Sequence, residues 1–492
     1  MKRRTLILGA AGAVVAAAGG TAPAFAEEVA PTGGQPVATP PVATAPRVSV
    51  SDLTALQTAI GEAKPGTTIE MRNGVYAVPD GAPIRIAGVR GWQNRPITIA
   101  AETVGGVTFT GAQSFVFVDA HDVVISGFVL TQSTTLEIPA DCSRITLSRN
   151  ELTFADVEGL HWVMVRSDDS VVEYNHFHGK TTLGIFLGIE GAGTTAMARN
   201  THVHHNLFAD HHFAGSNGGE PIRLGVSPRA LSSANALVEY NLFERANGDP
   251  EAISVKSSDN TLRYNTIRSS FGGIVLRHGN RTRVEGNHLI GGENGIRIYG
   301  NDHVIVNNSL VGLAGSAVVI GAGTVRDHYE GEPSTSRTKN DAADRVLIAL
   351  NTFAGNGDGI IGETHRPLEP HDAVIADNII VGDAGALARV PNSQGFTWSG
   401  NLLWGAAEDG DLPAAGFTRI DPSLEQDADG VFRITAASPA VNAATRSYDD
   451  VTREDIDGHR RRAVTDAGAH EYTPAPGIRG PLDVEDVGPH AR

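Results

Sequence analysis

The chain has 492 residues, a formal net charge of −17, 57 glycines, 6% aromatic residues and one cysteine, Cys142. This acidic balance excludes general nucleic-acid binding and requires any polyanionic partner to be met by a local basic surface. The single cysteine excludes an internal disulfide, and abundant glycine with few aromatics suits many tight turns between short strands.

Residues 1–26 read as an export signal: Lys2, Arg3 and Arg4 precede an apolar run that ends in the small-residue cleavage site Ala24-Phe25-Ala26. The paired arginines resemble a twin-arginine signal, with an ordinary secretory signal as the alternative. Either predicts a secreted protein, extracellular or periplasmic, with no membrane anchor. Residues 27–47 are rich in Pro, Ala and Thr and read as a disordered linker. Ser51 or Asp52 then caps a short amphipathic helix with Leu53, Leu56 and Ile60 on one face, placed to cover the open end of a solenoid.

From about residue 114 a repeat takes over. Asn150, Asn175, Asn206, Asn241, Asn265, Asn287, Asn308, Asn351, Asn378 and Asn401 are each followed, two positions later, by Leu, Ile or Phe. Intervals of 21–25 residues mark single coils and longer ones mark coils with inserted loops. Stacked asparagines can hydrogen-bond along such a ladder, and each coil needs neighbours to bury its apolar face. The fold class is all-β, a right-handed parallel β-helix over residues 48–475 with a short N-terminal capping helix. A propeller or sandwich would carry hairpin Asn-Gly signals at regular intervals, and these are missing. The segment from about 427 reads as a closing cap, and residues 476–492 as a frayed tail.

The stretch 247–301 holds three alternating segments. If Ile253 and Val255 point inward, Lys256 points outward; if Ile274 and Leu276 point inward, so does Arg277 point outward. The two cations are 21 residues apart, about one coil, and coils stack at roughly 4.8 Å. Asp249 and Glu251 precede Lys256, and an inserted loop just upstream carries Asn217, Glu220 and Arg223. Carboxylate and amide oxygens are the donors a hard cation such as Ca²⁺ prefers. A lysine near a divalent cation and an arginine has reason to lose its proton and can act as a general base. An arginine stays charged and steadies developing negative charge. That set suits β-elimination on a uronic acid. On spacing alone, solvated surface charges remain an equal reading. A glycoside hydrolase would need paired carboxylates across the scissile bond, which the adjacent lysine and arginine fit poorly. His204, His205, His211 and His212 read as surface histidines, since no third ligand is spaced to complete a transition-metal site.

The run NGDPEAISVKSSDNTLRYN, with LRHGN and GGENGIRIYGN after it and NGGEPIRLG before it, resembles polysaccharide lyase family six, the alginate lyases and chondroitinase B. The resemblance extends over most of residues 50–425. It implies Lys256 as base and Arg277 as acid or leaving-group stabiliser. It implies Ca²⁺ held by Asn217, Asp249 and Glu251, and sugar contacts from His278, Arg223, Arg297 and Tyr299. The partner implied is an anionic polysaccharide, alginate first and a chondroitin or dermatan glycosaminoglycan second. A uronan epimerase and a non-catalytic carbohydrate-binding solenoid are the competing functions. The family carries glutamate where this chain has Asp249, one methylene shorter.

Overall fold

The computed structural model describes residues 46–492, except 214, 216, 334 and 392. The expected export signal and the linker as far as residue 45 lie outside the described residues. Among the described residues, three long sheets of 14, 11 and 14 strands are each built, apart from the first step of one and the last step of another, from every third strand in sequence order. All pairings within them are parallel, as in Leu237–Glu239 on Thr261–Arg263, which makes the chain a parallel β-helix. Strand alternation puts one apolar row inside each sheet. In the first sheet Val203, Val238, Leu262, Val284 and Ile305 stack in register, all fully buried. Each such side chain contributes about 1.5–3 kcal/mol. The helix Leu53–Glu62 buries Leu56 and Ile60 against the first coils, with Asp52 accepting from Ala55 N at 2.8 Å as its N-cap. Among the described residues no helix is long and apolar enough to cross a membrane.

The asparagine ladder forms as expected. Asn241 donates its backbone N–H and Nδ2 to Asn265 Oδ1 at 3.1 and 3.0 Å. Asn265 does the same to Asn287 at 3.0 and 3.0 Å. The pattern runs to Asn401, and the 43-residue interval between Asn308 and Asn351 leaves it unbroken. The residue before several of these asparagines is left-handed, with φ near 53° at Tyr174 and His205, 52° at Tyr240 and 56° at Tyr264. This turns their rings outward into a column at 4.8, 5.2 and 5.2 Å spacing. Arg149 covers the Tyr174 end and Arg479 the Tyr264 end.

Two expectations about the C-terminus are corrected. The segment after 427 does not seal the end of the core; it folds back along the outside of the ladder edge. Tyr448 packs on Val306, Ala349 and Leu350, and its hydroxyl donates to Asp377 at 2.6 Å. Arg461 donates to Asn307 at 2.7 Å. Residues 476–492 are not frayed either: Gly488 N donates to His205 O at 2.8 Å, and Arg149 donates to Pro489 O at 2.9 Å. The outward groups of the ladder turns offer partners that the sequence pattern of the tail does not reveal.

On the outer face of the first sheet, Glu173, His204, Glu239, Arg263 and Glu285 stand in register. The His204 ring, 3.1 Å from Glu173, holds that carboxyl below its ordinary value. A carboxylate lowered in the folded state contributes stability above its unfolded value of about 4.3 and loses it as pH falls through the folded value. Glu173→Gln is therefore expected to flatten the acid limb of a melting-temperature profile below about pH 4; an unchanged limb would refute the pairing.

Candidate active site

The second sheet carries the predicted site. Ile222, Leu224, Ile253, Val255, Ile274, Leu276, Ile296 and Ile298 all face inward and are fully buried. Between them Arg223, Ser254, Val275 and Arg297 share register on the outer face. Lys256 ends the strand Glu251–Lys256, and Arg277 lies in Gly273–His278. Val255 pairs with Leu276, but Lys256 pairs with His278, so Arg277 is the extra residue of a bulge. The two cations share the outer wall, though not as direct strand partners. A bulge bends the strand and re-aims the side chain it carries. The Arg277 guanidinium sits 5.8 Å from the Tyr299 ring centre, and those of Arg297 and Arg366 lie 6.0 and 5.2 Å from the same ring.

Lys256 Nζ donates to Glu220 Oε1 at 3.3 Å. Glu220 is buried, and its Oε2 has no hydrogen-bond partner among the described residues. Asp249 is also buried, and its carboxyl is pushed up to about 7 by burial and by the charges of Glu220 and Glu251. Its Oδ2 accepts from Gly218 N at 2.7 Å and its Oδ1 from Glu251 N at 3.0 Å. Glu251 accepts from Arg297 Nη2 at 3.2 Å and from the Ser254 hydroxyl. Asn217 is exposed at the start of the turn that supplies Gly218. Gly219 and Gly248 let the two coils close: a Cβ on Gly219 would lie 2.3 Å from Gly248 O.

Three buried carboxylates that repel one another, one with an oxygen lacking a partner, fit a bound divalent cation. Among the described residues, Asp455, Asp457 and His459 form a group whose ligand atoms lie within 4.8 Å of one another. It belongs to the C-terminal segment, and Arg433 already pairs with Asp457 at 2.9 and 3.0 Å, so that charge is spent.

Two predicted sugar contacts sit behind the groove wall instead of on it. Tyr299 is buried, and its hydroxyl donates to Glu363 Oε1 at 2.6 Å. His278 is buried and held near 3, first by burial and then by Arg277, Lys256 and His328. A neutral imidazole and a phenol ring thus form the platform under the arginines. Arg297 stays about one-third exposed; Arg223 is mostly covered and lies 3.6 Å from Glu190. Sequence reasoning assigned no role to Glu220, although it stands three residues after Asn217. It gave no signal for Glu363 and Arg366, which arrive from the coil beyond the longest insertion.

The family model for chondroitinase B matches residues 50–360, more than half of the chain. Among solved structures, the PL6 family alginate lyase AlyGC is 26% identical with a TM-score of 0.68, over 80% of this chain and 55% of that one. The chain thus spans about half the length of AlyGC. A mannuronic acid specific polysaccharide family 6 lyase from human gut microbiota is 22% identical, TM-score 0.68, over 76% of this chain and 91% of that one. A PL6 alginate lyase in complex with a trisaccharide is 21% identical, TM-score 0.64, over 80% and 92%. The last two share the fold. No curated protein matches the chain.

Proposed function

The chain belongs to the chondroitinase B family, and from that premise we propose that it is a secreted polysaccharide lyase that cleaves a uronan, alginate foremost, by β-elimination. The observation that carries this reading is Lys256 and Arg277 on one outer wall beside the buried carboxylates Glu220, Asp249 and Glu251. The likeness to AlyGC supports alginate over a glycosaminoglycan.

Lys256 Nζ takes the proton from C5 of the uronate, and the electron pair forms the C4–C5 double bond. The C4–O4 bond breaks, and the departing oxygen takes a proton from solvent water while Arg277 steadies its negative charge. Glu220, 3.3 Å from Nζ, fixes where the amine stands. Arg277, set by the bulge over the Tyr299 ring, presents fixed positive charge to the leaving oxygen. Glu220, Asp249 and Glu251, with the Asn217 amide, would hold calcium. Bound there, calcium would neutralise the sugar carboxylate and acidify the C5 proton. Arg297 orients the chain from two coils further on.

Growth of ultraviolet absorbance from unsaturated uronate on alginate tests the reading. Reducing ends without that absorbance would replace elimination by hydrolysis, and unchanged chain length with altered sugar configuration would indicate an epimerase. Calcium is tested apart from activity. Calcium at about a hundred times its Kd is expected to stabilise the protein by about 2.7 kcal/mol, seen as a raised melting temperature that chelation reverses. Glu251→Gln is expected to remove most of that rise; a rise that survives the substitution would place the ion elsewhere.

A further inference from the structure

Arg166 stands three coils upstream of Lys256 in the same column of the second sheet. The register runs Val165, Ile189, Leu224, Val255, so the residues that follow, Arg166, Glu190, Gly225 and Lys256, fall in line. At about 4.8 Å per coil, Arg166 lies roughly 14 Å from Lys256. Gly225 leaves the coil next to Lys256 without a side chain in this column: its φ is +87°, and a Cβ there would meet the Lys256 carbonyl oxygen at 2.7 Å.

Three guanidinium groups converge on Glu190. Arg166 Nη1 reaches it at 2.6 Å, Arg229 Nη2 at 3.3 Å and Arg223 Nη2 at 3.6 Å. The Nε edge of Arg166 is taken by Glu137 at 2.9 Å. Three arginines against two glutamates leave local positive charge on an acidic protein. The Nε groups of Arg223 and Arg229 are buried without a hydrogen-bond partner among the described residues. The two glutamates differ in how firmly they are held: Glu190 is 12% exposed, whereas Glu137 is 52% exposed. An exposed ion pair is weak and exchangeable.

We propose that Arg166 is a second carboxylate-binding residue of the groove, with Glu137 as a placeholder that a uronate carboxylate replaces. Glu190 grips one edge of the guanidinium and fixes its plane. The Nε edge then offers a preformed fork to an anion, the geometry in which arginine binds carboxylates best. A uronan lying along the column reaches Arg166 with a sugar several units from the one whose proton Lys256 removes. The inference rests on the lyase reading of the site.

The test compares the full mature chain with Arg166→Gln and Glu137→Gln, on long alginate and on a trisaccharide too short to reach from Lys256 to Arg166. Elimination by the parent comes first, since its absence defeats the lyase reading itself. Given that activity, Arg166→Gln is expected to raise KM on the polymer about tenfold, the loss of one charge-assisted hydrogen bond, with kcat and the trisaccharide unaffected. Glu137→Gln is expected to lower KM on the polymer, because it removes the competitor. An equal KM rise on both substrates for Arg166→Gln, or no change on either, overturns the proposal. If Arg166→Gln does not fold, Glu137→Gln decides, and an unchanged or raised polymer KM overturns it.

Discussion

Lys256→Ala is expected to reduce the rate of elimination by roughly 10²–10⁴-fold, the usual contribution of a positioned general base. The side chain touches neither the apolar interior nor the asparagine ladder; its contact is Glu220, at 3.3 Å. Removing it leaves Glu220 buried without that partner, so a modest loss of stability accompanies the loss of rate. Binding is expected to persist, because Arg277, Arg297 and Arg223 remain. The decisive comparison is kcat against KM from ultraviolet traces, together with a binding measurement on the same polymer. Retained elimination would remove Lys256 from the chemistry. Loss of binding equal to the loss of rate would make it a substrate-anchoring residue instead. Lys256→Arg separates charge from basicity: it keeps the positive charge but cannot readily accept a proton, so it is expected to be as slow as the alanine variant.

Asn265→Ala is expected to have the largest effect on stability, about 3–6 kcal/mol. The argument counts orphaned partners. Asn265 Oδ1 accepts from Asn241 N at 3.1 Å and from Asn241 Nδ2 at 3.0 Å, and its own Nδ2 donates to Val238 O at 2.9 Å and Asn287 Oδ1 at 3.0 Å. All of these groups are buried between coils, where each unpaired group costs about 1–3 kcal/mol. Asn265 lies in the coil that joins the Lys256 strand to the Arg277 strand, so the break falls between the catalytic strands. Chemical denaturation monitored by circular dichroism gives the loss directly. A change under about 1 kcal/mol would mean that the ladder tolerates gaps and that water repairs them.

The asparagine ladder also shows how far a sequence alone can be read. Its period was visible because each coil meets the same local demand: an inward apolar residue, a turn and an asparagine that bonds to the next coil. Alternation placed Ile253 and Val255 inside and Lys256 outside from immediate neighbours only. The carboxylates Asp249 and Glu251 were legible for the same reason, standing a few residues from Lys256. Glu220 was not given a role, because it approaches Lys256 across a separation of 36 residues that no local pattern encodes. The family resemblance implies Tyr299 as a sugar contact. Its burial depends on Glu363 and Arg366, brought over it from 64 and 67 residues away.

What the sequence determined was the all-β solenoid, the capping helix and the outer wall that carries Lys256 and Arg277. These follow from periodicity, since side-chain direction in a strand is fixed by its position parity. Only the tertiary structure decided the bulge at Arg277, the carboxylate partner of Lys256, the arginine-covered Tyr299 platform and the return of the C-terminal segment along the ladder edge. Each of these depends on which coil lies next to which and on how inserted loops fold over them. Such contacts are selected by packing and charge pairing between distant segments, and the repeat that builds the solenoid is silent about them.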